Sequence, residues 1–321
     1  VSKEPANPWE SFNWHNHFDF PSEHYGWVVE IDPRSGHAKK HVALGRYAHE
    51  SATVARADNG RVVVYSGDDS KNEHFYKFIS DSANSIERGT LYVANIEKGT
   101  WLPLKRSAHP KLRKKFRSQT ELLIRTREAA RIVGATPLDR PEDVEIEPRT
   151  KAVFVSLTNN VEKENYFGSI MKLEETGGDH GALTFRASTF LLGGPGSGIS
   201  CPDNLAFDPK GNLWITNDVS GAAMHRAPYT EFMNNGLFVI PMSGEGAGVP
   251  VMVATAPRDA EFTGPEFSPD GQTLFLSVQH PGEQSLTLEN PTSHWPDGGN
   301  SIPRPAVVAI SGALLDTLIG A

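Results

Sequence analysis

The chain has 321 residues, 38% of them hydrophobic and 22% charged, which is the balance of a soluble globular protein with one large domain or two small ones. A formal net charge of -8 argues against generic nucleic-acid binding, and no apolar run approaches membrane-spanning length. A lone cysteine, Cys201, excludes an internal disulfide and a cysteine-cluster zinc site.

No signal peptide is recognisable, and the opening Val-Ser-Lys without an initiator Met is the pattern of a mature or trimmed product. Residues 1–24 carry Trp9, Trp14, His15, His17, Asp19, Glu23 and His24 with no clear period. His15-x-His17 has ligand spacing, yet two histidines in an irregular segment read better as exposed polar residues. Gly26 to Asp32 reads as a strand ended by a turn at Pro33 to Gly36. His49-Glu50 invites comparison with a zinc-protease helix and fails it, because the position one helical turn on is Thr53 rather than a second His.

Val54 through Asp58-Asn59-Gly60 into Val62-Val63-Val64 is the first of four similar stretches. The others run from Ile146 through Thr150 into Ala152 to Val155, from Phe207 through Gly211 into Leu213 to Ile215, and from Phe267 through Ser268-Pro269-Asp270-Gly271 into Leu274, Leu276 and Val278. Each is the grammar of a β-hairpin: an apolar run, a turn that tolerates a left-handed corner, and an alternating run. Thr150, Gly211 and Gly271 are about sixty positions apart, a period that fits a decorated β-propeller better than a solenoid.

Counting four residues back from Val54, Ile146, Phe207 and Phe267 gives Glu50, Glu142, Asp203 and Thr263, three of them carboxylates. Antiparallel pairing brings the ends of the second strands to the same edge, so Asp68-Asp69, Asn159-Asn160, Asn217-Asp218 and Gln279-His280 are expected around one mouth, with Asn204 beside Asp203. His280 there could serve as acid, base or ligand, or simply bond to backbone.

Between the first two hairpins, residues 105–117 hold Lys105, Arg106, Lys111, Arg113, Lys114, Lys115 and Arg117, which read as a solvated face rather than a polyanion site. Ser118 with Glu121 makes a capping box, Leu122, Thr126, Ala129 or Ala130 and Val133 share one face, and Gly134 stops the helix. Arg140 then precedes Glu142 by two, so both share a strand face. Such an Arg is either an ion-pair partner or an anion clamp. Gly193 to Gly198 lacks the Lys-Ser/Thr and helix of a phosphate loop and reads as flexible.

The stretch Glu121 to Glu145, E-L-L-I-R-T-R-E-A-A-R-I-V-G-A-T-P-L-D-R-P-E-D-V-E, resembles the PhoX-type alkaline phosphatase family. So do G-W-V-V-E-I-D-P, A-L-G-R-Y-A-H-E, C-P-D-N-L-A-F-D, E-F-T-G-P-E-F-S-P-D-G-Q-T-L-F and Q-H-P-G. The resemblance implies a six-bladed, all-β propeller, an exported (periplasmic or secreted) bacterial protein, and phosphomonoester hydrolysis at clustered iron and calcium. By the same resemblance Glu50, Glu142 and Asp203 would be metal ligands and Arg140 would bind substrate phosphate. Arg304, in P-R-P-A-V-V, is a candidate for a second phosphate contact.

No Ser or Thr stands out as a nucleophile, so attack by a metal-held oxygen is expected. The chain departs from the family in lacking an upstream Thr-Cys-Glu-Glu-like segment, and Cys201 does not replace it. The expectation is therefore a carboxy-terminal portion, one propeller domain over residues 1–321 with about five blades and a helical insertion at about 105–138. Its open blade edges would be coverable by a homodimer, and its metal site could be incomplete. A non-catalytic calcium-binding propeller is the alternative, and a lactonase or diesterase on the same scaffold a third. No nucleic-acid or membrane partner is expected.

Overall fold

The computed structural model describes residue 18 and residues 20–318, so His15 and His17, like Trp9, Trp14 and Asp19, lie outside the described residues. Strands β1 (Val29–Ile31) and β2 (Ala38–Lys40) form a two-stranded antiparallel ribbon around the turn at Pro33 to Gly36.

Four larger sheets follow. The first contains β3 (His49–Arg56), β4 (Val62–Asp68), β5 (Phe75–Ser82), β6 (Ser85–Asn95) and β7 (Thr100–Pro103), and the second β8 (Pro141–Ile146), β9 (Val153–Leu157), β10 (Ser169–Glu175) and β11 (Phe185–Leu192). The third contains β12 (Pro202–Phe207), β13 (Leu213–Asn217), β14 (Gly236–Ile240) and β15 (Val251–Thr255), and the fourth β16 (Glu261–Phe267), β17 (Thr273–Gln279) and β18 (Ala306–Ser311). Every pairing within them is antiparallel and sequential, the meander of a propeller blade. The innermost strands β3, β8, β12 and β16 lie side by side in that order. Among the described residues there are thus four blades and a ribbon, where about five blades were expected. The ribbon is too short to bury a face of its own, its strands being exposed throughout.

The four hairpins form as the turn chemistry dictates. Gly60, Gly211 and Gly271 take φ of 82°, 83° and 71°, and in the second hairpin Lys151 takes the left-handed corner at φ 60° instead of Thr150. Glu147 makes that corner tolerable by accepting from the N–H of Thr150 at 2.6 Å.

The blades pack face to face. Val63, Tyr65, Phe75 and Trp101 of the first blade meet Val144, Val153, Val155 and Leu173 of the second. Phe154 and Ile170 meet Leu213, Ile215 and Phe238 of the third, and Trp214, Leu237 and Val239 meet Leu274, Leu276 and Val278 of the fourth. Each such side chain contributes about 1.5–3 kcal/mol when fully buried.

The opposite face of the first blade, with Val64, Tyr76, Phe78 and Val93, is covered by three helices. These are α1 (Pro110–Lys115), α2 (Gln119–Ile124) and α3 (Thr126–Val133). The cap at Ser118 is present, with Glu121 N–H donating to Ser118 Oγ at 3.0 Å, and Gly134 closes α3 in the left-handed conformation. The single helix read from the sequence is broken at Arg125 (φ -106°, ψ 44°). There the N–H of Arg46, from outside the helices, donates to both Leu123 O (2.9 Å) and Thr126 Oγ1 (3.0 Å). A last helix, α4 (Ala313–Leu318), follows β18, and among the described residues no helix is long and apolar enough to cross a membrane.

Candidate active site

The four innermost strands begin alike. Ala48-His49-Glu50, Arg140-Pro141-Glu142 and Cys201-Pro202-Asp203 each start one residue before the strand, and Asp259-Ala260-Glu261, which starts two before β16, is matched to them by its backbone. Arg140, Cys201 and Asp259 share a positive φ (55°, 51° and 59°). The first three hairpins close with the same backbone bond. Asp69 N–H donates to Ala48 O (3.0 Å), Thr158 N–H to Arg140 O (3.2 Å) and Asp218 N–H to Cys201 O (2.9 Å).

The mouth is therefore built from Glu50, Glu142, Asp203 and Glu261 on one side of each hairpin and Asp69, Thr158, Asp218 and His280 on the other. Thr263 does not belong to this set. The innermost strands differ in length and carry a bulge near the mouth, so counting back from the turn lost the register in β16. Measured from the mouth, all four positions are carboxylates, and Glu261 is the one the count missed.

Several expected mouth residues have other work. Asp68 is fully buried and accepts from Arg127 Nε (2.8 Å) and Nη2 (2.5 Å), anchoring α3 to the first blade. Asn204 Oδ1 accepts from Gly264 N–H at 2.7 Å, and Asp143 Oδ2 accepts from Leu205 N–H at 2.8 Å, so these two side chains stitch neighbouring innermost strands. Asn160 donates to Asp139 and Asn72, and Asn217 to Ser200 O and Asn235. Arg304 pairs with exposed Asp297 at 3.1 Å, and no hydrogen bond or ion pair among the described residues connects it with the mouth.

Arg140 stands among the acids. Its Nε and Nη2 donate to Asp69 Oδ1 and Oδ2 at 2.8 and 3.1 Å, and Nη2 lies against Glu142 Oε1. Burial alone would lower its pKa, but Glu142 first, then Asp69 and Asp218, outweigh that and hold it charged.

The carboxyls are pushed the other way. Burial first, then a hydrogen bond shared with Asp203, raises Glu142 far above the usual range, and Asp203 is raised by its own burial. Glu50 is pushed up to about 7 by burial and by Asp69, Asp203 and Asp143, and Asp143 to about 6 by burial. On the far side Glu261 is raised to about 7 by burial. His280, 3.4 Å from it, is raised to about 9, chiefly by their hydrogen bond.

A set of largely buried acids that repel one another in this way is stabilised by cations. Glu261 Oε2 is buried without a hydrogen-bond partner, and Glu142 Oε1 is buried with its contact to Arg140 Nη2 alone. The donors are hard oxygens, which suit calcium-like ions. They offer no thiolate: Cys201 is buried, receives a hydrogen bond from Asn159 at 3.4 Å, and has its pKa raised by burial. Among the described residues no three His, Cys, Asp or Glu side chains converge on one point as they stand. Arg140 offsets part of the charge of Glu142 and Asp69, and His280 part of that of Glu261.

A family model described as alkaline phosphatase PhoX matches residues 5–282. The chain belongs to the PhoX alkaline phosphatase family. Among solved structures, the chain is similar to Pseudomonas fluorescens PhoX in complex with vanadate, a transition state analogue, with 32% identity and a TM-score of 0.80 over 90% of this chain. It spans 58% of the length of that PhoX protein. A protein of unknown function from Dyadobacter fermentans matches at 9% identity and a TM-score of 0.40, over 78% of this chain and 64% of its own. No curated protein matches. The PhoX family assignment agrees with the resemblance read from Glu121 to Glu145.

His49, beside Glu50, is a structural residue. Its Nδ1 meets Ser66 Oγ at 2.9 Å and its Nε2 meets Gly45 O at 3.0 Å, and burial lowers its pKa to about 4. From pH 6.5 down to about 4 the unfolded chain takes up a proton that the folded chain refuses, so this group costs stability as the pH falls. The stability lost between pH 7 and pH 4 is expected to be smaller in His49→Gln than in the wild type, by about 3 kcal/mol. Chemical denaturation at the two pH values measures this, and an identical pH dependence in both proteins would refute it.

Proposed function

We propose that this chain supplies the phosphate-binding and part of the cation-binding surface of a phosphomonoester hydrolase. The observation that carries the reading is Arg140, a charged fork held among Glu50, Glu142, Asp203 and Asp69 at the mouth of the blades. A guanidinium offers parallel N–H donors to non-bridging phosphate oxygens, and its charge opposes the charge that develops on the phosphoryl group. Family membership and the vanadate complex of the P. fluorescens relative support the same chemistry.

Glu50, Glu142 and Asp203 would hold hard cations. Such ions, when bound, supply further charge neutralisation and a lowered pKa for bound water. Calcium fits these oxygen donors, whereas iron held by a thiolate finds none here. An exported location in a bacterium accompanies the family reading.

The test is hydrolysis of 4-nitrophenyl phosphate by the longest natural form of the protein, with calcium and ferrous iron added back after chelation. The expected result is activity that disappears with the chelator and returns with the metals. Background rates throughout would favour a non-catalytic cation-binding propeller and end the reading.

A further inference from the structure

A guanidinium on a long side chain clamps phosphate well only if something fixes its plane. The backbone of Arg140 is pinned by Pro141 and by the Thr158 N–H, but the fork lies several rotatable bonds away. Two groups reach it, Asp69 through two hydrogen bonds on the Nε–Nη2 edge and Glu142 through a single close contact. Glu142 is also a cation ligand in the reading above, and a carboxylate drawn onto a cation has less to offer the arginine. Asp69 is then the anchor that remains.

Asp69 is itself held in place. It follows β4 directly, and its N–H donates to Ala48 O. Its neighbour Asp68 is clamped by Arg127 and by Ala48 N–H at 3.2 Å. A bridge between Lys71 and Asp139 ties the following turn to the residue before Arg140. Anchor and arginine come from different blades, so their pairing also sets where the arginine sits relative to Glu50 of the first blade. Nη1 of Arg140 has no partner among the described residues.

We infer that Asp69 is a positioning residue, whose grip on the Nε–Nη2 edge of Arg140 orients the arginine so that Nη1 is left for a substrate phosphate oxygen. This rests on the phosphatase reading. The experiment is a double-mutant cycle in the longest natural form of the metal-loaded enzyme, with 4-nitrophenyl phosphate as substrate and inorganic phosphate as competitor. Asp69→Ala is expected to lower kcat/KM about 100-fold and to weaken phosphate inhibition, with Asp69→Glu recovering part of both. In an Arg140→Ala background, Asp69→Ala should add nothing further.

Equal losses in both backgrounds, or phosphate inhibition unchanged in Asp69→Ala, would overturn the inference while leaving the phosphatase reading intact. A wild-type protein that hydrolyses no phosphomonoester would end both. A thermal midpoint that falls in Asp69→Ala and is not restored in Asp69→Glu would also overturn it, because Asp69 would then be serving the fold.

Discussion

Replacing Lys77 by methionine is expected to lower the free energy of unfolding by about 3–5 kcal/mol, the cost of stranding a buried charge. Lys77 lies on β5 with no exposed surface, and its Nζ is 2.8 Å from Glu175 Oε1 at the end of β10, in the next blade. The same ammonium donates to His180 O at 3.1 Å and Ala182 O at 2.6 Å and stands 4.6 Å from the ring centre of Trp101. Glu175 also accepts from Tyr65 Oη (2.7 Å) and Trp101 Nε1 (3.1 Å).

Burial nevertheless drags Lys77 down to about 8 and raises Glu175, so desolvation outweighs the mutual attraction. Such a pair fixes how two blades meet more than it adds net stability. The double variant Lys77→Met/Glu175→Gln should accordingly recover at least half of the loss. Denaturant unfolding of the three variants decides, and a single variant within 1 kcal/mol of wild type would refute the account.

The largest effect on activity is expected at Arg140. In the longest natural form of the protein, Arg140→Ala should cost about 10²–10³-fold in kcat, the magnitude for removing one preorganised donor from a developing anion. Two terms add here. The phosphoryl oxygens lose a charged donor, and Glu142, Asp203 and Asp69 lose the cation that offsets their repulsion. Arg140→Lys should rescue little, because an ammonium cannot reproduce the two-point grip on Asp69. Glu142→Ala should reduce activity as severely and, unlike Arg140→Ala, should also weaken calcium binding measured by calorimetry. Full activity in both variants would remove the site from its proposed place at the mouth.

Much of this was readable before any coordinates. The hairpins, their turns, the capped helix ending at Gly134 and the pairing of Arg140 with Glu142 follow from local chemistry that acts over a few residues. Reading Asp68-Asp69 as a unit failed because adjacent strand residues face opposite ways: Asp68 turns inward to Arg127 and Asp69 outward to Arg140. Helix α1 was invisible because one buried residue, Leu112, in six makes no period. Glu261 was legible after all, as the acid that ends the tripeptide at the start of each innermost strand, once the count starts at the mouth instead of at the turn.

By itself the amino-acid order determined the four hairpins, the family and three of the four strand-start acids, because turns, caps and alternation are settled by neighbours along the chain. Only the tertiary structure decided the rest: which oxygen grips Arg140, which acids are pushed toward neutrality, and where the helix breaks under the N–H of Arg46. Those outcomes depend on groups far apart in sequence that meet in a buried place of low dielectric. There, a shift of a few tenths of an ångström decides whether a charge is paired, shared or expelled.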